Sequence, residues 1–189
     1  MTLRRLGLFG GTFDPPHFGH VAALRAAARS HRFNRIEVTV AGDPYQKSER
    51  GSVRPAPVRL AMAKAAFDGL DLVVVSDREI RRAGPSYTID TVRELLNEAD
   101  EVDLIIGADL ASQLDRWHEA ALLRSMVRVG VVPRPGRAPS MPAGWITYEI
   151  AMEPVDLSST YIRDTHPDHE NLREFVPEGV IPLFEGFRG

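Results

Sequence analysis

The stretch GLFGGTFDPPHFGH, residues 7–20, ends a short apolar run and places two histidines three residues apart just before a helical pattern begins. Gly10 and Gly11 would let the backbone approach a phosphate, and the amino end of the following helix offers N–H groups and a positive dipole. Residues three apart share one face of a helix, so His17 and His20 can point at one anion. Imidazole donates a hydrogen bond to a phosphate oxygen in either protonation state. The stretch therefore predicts a phosphate site after the first strand.

The two histidines have other interpretations that the spacing leaves open. One imidazole could cap or pack against the helix while the other is exposed. The pair could also bind a metal, but no third ligand is spaced nearby, and we expect no metal held by the protein itself. The dinucleotide pattern G-x-G-x-x-G and the P-loop pattern are both absent from this stretch.

Short apolar strands alternate with longer helical segments along the rest of the chain, which predicts an α/β, doubly wound parallel sheet with a small C-terminal helical portion. We expect residues 1–189 to form one domain. The third strand is expected to be buried, and the helix of 110–125 to be broken. The predicted strands are 4–10, 35–42, 70–77, 102–109, 126–136 and 144–152, and the other predicted helices are 20–31, 56–67 and 87–99.

The ligand crevice of such a fold lies at the carboxyl ends of the strands. The segment Tyr45–Lys47 follows the second strand, Asp109 ends the fourth, and Arg134 lies at the end of the fifth. Together with the histidines after the first strand, these polar side chains are therefore expected to converge on one site.

Composition excludes several classes of protein. Apolar residues make up 43% and charged residues 26% of the chain, and the net charge is −3, so no excess of basic residues points to nucleic acid. There is no cysteine, which excludes disulfides, thiolate metal sites and a cysteine nucleophile. No segment has the apolar length of a membrane span or signal peptide. We expect a cytoplasmic protein without nucleic-acid or membrane partners, and a homo-oligomer stays open.

Two motifs carry a resemblance to a known superfamily. GGTFDPPHFGH (10–20) resembles the first signature of the nucleotidylyltransferases, and SSTYIRD (158–164) resembles their second. Within that superfamily, GPSYTIDTV (84–92), LIIGADLASQLDRWHEAALL (104–123) and VPRPG (132–136) resemble nicotinate-nucleotide adenylyltransferases, which make the dinucleotide precursor of NAD. The resemblance implies attack by the phosphate of nicotinate mononucleotide on the α-phosphorus of ATP, with release of pyrophosphate.

The resemblance also implies a role for each matching residue. Mg²⁺ would be bound through the ATP phosphates, with no metal ligand from the protein. The implied catalytic residues are His17, His20, Lys47 and Arg163; the ATP-binding residues are Gly10, Gly11, Thr12, Phe13, Gly107, Asp109, Arg134, Ser158, Ser159 and Thr160; and the acceptor-binding residues are Tyr87, Thr88 and Trp117.

Alternatives remain for single residues and for the whole chain. Trp117 could belong to the core, Asp109 could cap a helix starting at Leu110, and the hydroxyls of 158–160 could cap the helix of the second motif. The acceptor could instead be nicotinamide mononucleotide, phosphopantetheine or a flavin nucleotide. A nucleotide-binding regulator without turnover is the alternative of a different class.

Overall fold

A computed structural model of the chain describes residues 3–43, 53–82, 84–136, 143–165 and 171–187. Six parallel strands form one sheet in the order β3-β2-β1-β4-β5-β6. The strands are β1 Arg5–Gly11, β2 Arg35–Val40, β3 Val73–Ser76, β4 Glu101–Gly107, β5 Val127–Val132 and β6 Thr147–Glu149. The order runs in opposite directions from β1 and β4, which confirms the doubly wound fold and places a crevice between the carboxyl ends of these two strands.

Helices connect the strands and cover both faces of the sheet. They are α1 Phe18–Arg29, α2 Ala56–Phe67, α3 Arg78–Arg81, α4 Thr88–Leu95, α5 Ala108–Ala111, α6 Ala120–Met126, α7 Ser159–Thr165 and α8 Ile181–Glu185, with 3₁₀ turns at Leu114–Arg116, Leu172–Glu174 and Glu178–Val180. The predicted break in the helix of 110–125 is confirmed by the separation of α5, the first 3₁₀ turn and α6.

Alternating strand residues divide the buried core into two clusters. Phe9 and Ile36 lie on the face covered by α1, α2 and the C-terminal residues, whereas Leu8 and Leu104 lie on the face covered by α4 and α6. The C-terminal portion packs into the first cluster through Leu172, Val176, Val180 and Phe184. The assignment of residues 1–189 to one domain stays a prediction.

The expectation that the third strand is buried is wrong. Strand β3 lies at the edge of the sheet, and Val74 in its middle is 49% exposed. The apolar run itself does not show whether the strand has a neighbour on one side or on both. That depends on the order of the strands in the sheet, which the connections between them determine. None of the helices in the described residues is both long and apolar enough to span a bilayer.

Candidate active site

The turn after β1 is built around the ring of Phe13. Phe13 has a left-handed backbone (φ 53°) and is almost fully buried. A Cβ at Gly11 would lie 2.7 Å from Cζ of this ring, so only glycine lets the turn close over it. The ring then meets the imidazole of His20 edge to face, with the centroids 5.1 Å apart. The turn therefore supports a histidine of the first motif directly.

His17 and His20 form a stacked pair at the start of α1. His17 is the N-cap residue, and its ring centroid lies 3.8 Å from that of His20. The His17 backbone N–H donates to Nδ1 of His20 over 3.1 Å. In its neutral form His20 then carries its proton on Nε2, which makes Nε2 a hydrogen-bond donor. The interpretation in which one imidazole caps or packs and the other is exposed holds only in part: both side chains belong to a capping box at the start of α1, His17 is buried, and His20 is half-buried rather than exposed.

Burial changes the charge of His17. The side chain is 4% exposed, and its Nδ1 has no hydrogen-bond partner among the described residues. Burial, and after it the nearby positive charge of Arg134, lowers the pKa of His17 from 6.5 to about 4. His17 is therefore neutral near pH 7 and acts as a hydrogen-bonding group that can meet an anion.

The second motif lies against the first. In α7, the Ser159 hydroxyl donates to the carbonyl oxygen of Pro15 over 2.8 Å. The Arg163 guanidinium donates to the carbonyl oxygen of Asp14. Both acceptors belong to the Asp14–Pro15 turn just before His17, so the two motifs meet at one place.

The remaining hydroxyls of the second motif have local partners. The Ser158 hydroxyl accepts a hydrogen bond from the Tyr161 N–H over 3.0 Å, which confirms the helix-capping interpretation for this residue. Nη2 of Arg163 donates a hydrogen bond to the Thr160 hydroxyl oxygen over 3.4 Å. The contact with Thr160 orients the Arg163 guanidinium toward the start of α7.

Arg134 links the ends of β4 and β5 to the segment before α7. It forms an ion pair with Asp109 over 3.2 Å and donates to the Leu157 carbonyl oxygen over 2.7 Å. Asp109 is the second residue of α5, whose N-cap residue is Gly107, so the interpretation of Asp109 as a helix cap is wrong. The crevice is therefore lined by groups from the carboxyl ends of β1, β4 and β5.

Rings of two distant segments meet at the start of α4. Tyr87 is the N-cap residue of this helix and precedes Thr88. Its ring stacks on that of His118, with the centroids 4.0 Å apart and an angle of 18° between the planes. Trp117 is half-buried against the same core cluster as Tyr87, and its Nε1 has no hydrogen-bond partner in the described part of the chain. The three predicted acceptor residues therefore lie on two segments that the fold brings together.

Sequence reasoning missed two residues at these positions. His118 stacks on Tyr87, and its place directly after Trp117 was the only signal for it. Asp14 is 1% exposed, and its carboxylate accepts hydrogen bonds from the Arg54 N–H over 3.1 Å and from Arg54 Nη1 over 3.0 Å. The sequence shows that Asp14 lies inside the first motif, but it gives no sign that Arg54, 40 residues away, would be its partner.

Two further predictions concern Lys47 and a metal held by the protein. Lys47 lies outside the described residues. Among the residues that are described, no cluster of three His, Cys, Asp or Glu side chains could hold a metal ion.

The chain matches the cytidylyltransferase-like family over residues 8–165. A relative from Methylibium petroleiphilum is 40% identical over 184 residues, which cover 94% of this chain and 86% of the relative. A relative from Albidiferax ferrireducens is 36% identical over 190 residues, covering 94% and 93%. Both are named "Probable nicotinate-nucleotide adenylyltransferase". This chain belongs to the nicotinate-nucleotide adenylyltransferase family. Membership confirms the resemblance of the motifs and makes the chain a nucleotidyltransferase.

Solved structures agree with this fold. The Plasmodium falciparum nicotinic acid mononucleotide adenylyltransferase complexed with NaAD superposes with a TM-score of 0.78 at 16% identity, covering 97% of this chain and 95% of that one. The same enzyme complexed with APC superposes with a TM-score of 0.74 at 16% identity and the same coverage. At 16% identity, the likeness to these two structures shows a shared fold and nothing more.

Proposed function

We propose that this chain transfers the adenylyl group of ATP to nicotinate mononucleotide. A phosphate oxygen of the mononucleotide attacks the α-phosphorus of ATP. The bond from that phosphorus to the oxygen bridging the α- and β-phosphates breaks, and pyrophosphate leaves with the electron pair. The products are nicotinate adenine dinucleotide and pyrophosphate. The attacking phosphate is already an anion near neutral pH, so the step needs no general base.

The contact between the two motifs carries this proposal. Ser159 and Arg163 lie against the turn that leads into His17 and His20. A triphosphate placed there would meet imidazole donors on one side and a hydroxyl and guanidinium on the other. Fixed donors aimed at phosphate oxygens stabilise charge that develops during phosphoryl transfer. A regulator without turnover needs no such donors around the transferring phosphorus.

The proposal assigns roles to several of the predicted residues. His20 would donate from Nε2 to the α-phosphate, and Arg163 would bind the β- and γ-phosphates. Asp109, held by Arg134, would accept from the ribose hydroxyls. Lys47 would neutralise phosphate charge, a role that stays a proposal from the motif alone.

The acceptor would bind beside α4. The indole of Trp117 would stack on the flat, cationic pyridinium ring through dispersion and cation–π attraction. The helix starting at Thr88 has N–H groups without intrahelical partners at its amino end, and these would donate to the nicotinate carboxylate. An amide in place of the carboxylate would bring its own donors against them.

Mg²⁺ enters this proposal as part of the MgATP substrate. The donors gathered at the crevice are imidazole, hydroxyl and guanidinium groups, which suit phosphate oxygens rather than a bare cation. The cytoplasmic location, the absence of nucleic-acid partners and the oligomeric state stay predictions.

Pyrophosphate release with a panel of acceptors tests the function. We expect turnover with MgATP and nicotinate mononucleotide, and much slower turnover with nicotinamide mononucleotide, phosphopantetheine or flavin mononucleotide. Turnover with phosphopantetheine and none with nicotinate mononucleotide would refute the acceptor. Tight ATP binding without turnover on any acceptor would favour the regulator.

A further inference from the structure

Arg59, in the first turn of α2, is the most buried arginine among the described residues, and no role is predicted for it from the sequence. Its side chain is 1% exposed, and burial lowers its pKa while the neighbouring Asp14 raises it. A buried guanidinium is costly unless its donors are satisfied. Its donors therefore show what the residue holds in place.

The guanidinium of Arg59 bonds three carbonyl oxygens from three separate segments. Nη1 donates to Thr12 over 2.9 Å, Nη2 to Gly42 over 3.3 Å, and Nε to Arg54 over 2.7 Å. Thr12 lies in the turn after β1, and Gly42 lies just past the end of β2. One planar group thus fixes the turn of the first motif relative to the segment after the neighbouring strand.

Gly42 continues this connection toward the acceptor side. Its N–H donates to the Ser86 hydroxyl over 2.9 Å, and the Asp43 N–H donates to the same oxygen over 3.3 Å. The Ser86 N–H donates back to the Asp43 carbonyl oxygen over 3.3 Å. A Cβ at Gly42 would lie 2.5 Å from the Glu79 carbonyl oxygen, so glycine is required where this segment passes α3.

Ser86 immediately precedes Tyr87, the N-cap residue of α4. The contacts Thr12–Arg59–Gly42–Ser86 therefore join the nucleotide turn to the acceptor turn, and we name them the Arg59 relay. In-line transfer requires the two bound substrates to lie within a few tenths of an ångström of their reactive positions.

We infer that Arg59 is a positioning residue for adenylyl transfer, which holds the nucleotide turn and the acceptor turn in the register that aligns the attacking phosphate with the α-phosphorus. This inference rests on the proposed function.

Three variants and a matched control test the relay. Arg59→Met removes all three hydrogen bonds while keeping an extended apolar side chain, Arg59→Lys keeps the charge, and Ser86→Ala cuts the link on the acceptor side. Arg128→Met is the control: Arg128 is less buried than Arg59 but is likewise held by polar partners, Asp103 and Glu101, and it lies at the start of β5, away from the carboxyl ends of the strands. Steady-state kinetics for both substrates are measured by pyrophosphate release well below the melting temperature of each variant.

We expect Arg59→Met to lower kcat by about 10- to 100-fold, the loss that follows small misplacement of reacting groups. Arg59→Lys should recover part of that loss. Ser86→Ala should raise KM for the acceptor by about 5- to 10-fold, the worth of a hydrogen bond, with KM for ATP unchanged. Arg128→Met should lose stability and keep its kinetics.

Kinetic constants of Arg59→Met within twofold of the parent enzyme would overturn the inference, as would an equal loss of kcat in Arg128→Met. If Arg59→Met does not fold, Ser86→Ala decides: equal effects on both KM values, or none, would overturn the relay. The acceptor panel on the parent enzyme is run first. If another acceptor turns over, the proposed function fails and the relay is tested with that acceptor.

Discussion

Arg163 donates a hydrogen bond to the main-chain oxygen of Asp14, although 149 residues separate the two in the chain. The contact joins the start of α7 to the turn that enters α1. If His20 and Arg163 opened onto opposite sides of the molecule, no shared triphosphate site could exist. Their neighbourhood is the geometric basis for the predictions that follow.

Replacing His20 with alanine should lower kcat by at least about 100-fold, because a donor to the transferring phosphate is lost from the transition state. Binding of a non-hydrolysable ATP analogue should change little. His31→Asn is the control, since His31 is exposed with a left-handed backbone (φ 53°) that asparagine tolerates. A near-normal kcat for His20→Ala would reassign the residue's role.

Replacing Trp117 with alanine should raise KM for the acceptor far more than KM for ATP, because the stacking partner of the pyridinium ring is removed. The matched control is Trp145→Phe, since Trp145 is buried and its Nε1 donates to Asp115 over 2.8 Å. Equal increases in both KM values would mean that the indole of Trp117 is structural.

The buried His17 should make stability depend on pH. Its pKa is about 4 in the folded chain and 6.5 in the unfolded one, so between these values the unfolded chain binds a proton that the folded chain does not. Stability is therefore unaffected by His17 above pH 6.5 and falls as the pH drops toward 4. The loss should reach about 3 kcal/mol at pH 4.

Urea unfolding of the parent chain and of His17→Asn over this pH range measures the effect. The variant should lack this part of the pH dependence. Arg134→Gln should show a shallower loss than the parent, because the positive charge of Arg134 contributes to the lowered pKa of His17. Parallel pH profiles for the parent and His17→Asn would contradict the assignment.

Replacing Asp14 with asparagine should destabilise the fold by about 3 kcal/mol, because Arg54 loses the buried carboxylate that neutralises it. The control is Asp90→Asn: Asp90 forms a surface pair with Arg93 over 3.1 Å, and its loss should cost about 1 kcal/mol or less. Urea unfolding at neutral pH compares the two. Equal losses would show that the pair of Asp14 and Arg54 contributes no more than a surface contact.

Local patterns sufficed for much of the fold. The predicted helix 56–67 coincides with α2, because Pro57 suits a first helical turn and the apolar spacing continues to Phe67. The helix α3 was missed, since four residues leave too short a pattern to detect. The third segment was correctly predicted to be a strand but wrongly predicted to be buried, because the exposure of a strand depends on its place in the strand order.

The candidate site divides in the same way. His17, His20 and Arg163 were predicted because motifs carry them. Two of the three carbonyl partners of Arg59, those of Thr12 and Gly42, lie 47 and 17 residues away in the chain, and no spacing predicts a hydrogen bond to a main-chain oxygen. The stacking of His118 on Tyr87 likewise arises only when α4 and the segment after α5 pack together.

Both outer strands of the sheet are short: β3 has four residues and β6 has three. Each edge of the sheet therefore presents only a few unpaired backbone N–H and C=O groups to an extended segment of another molecule. Val74 in β3 adds an exposed apolar side chain at one of these edges. Because both edge strands are short, few backbone hydrogen bonds can form between the sheets of two copies of the molecule. Short edge strands therefore disfavour edge-to-edge aggregation at high concentration.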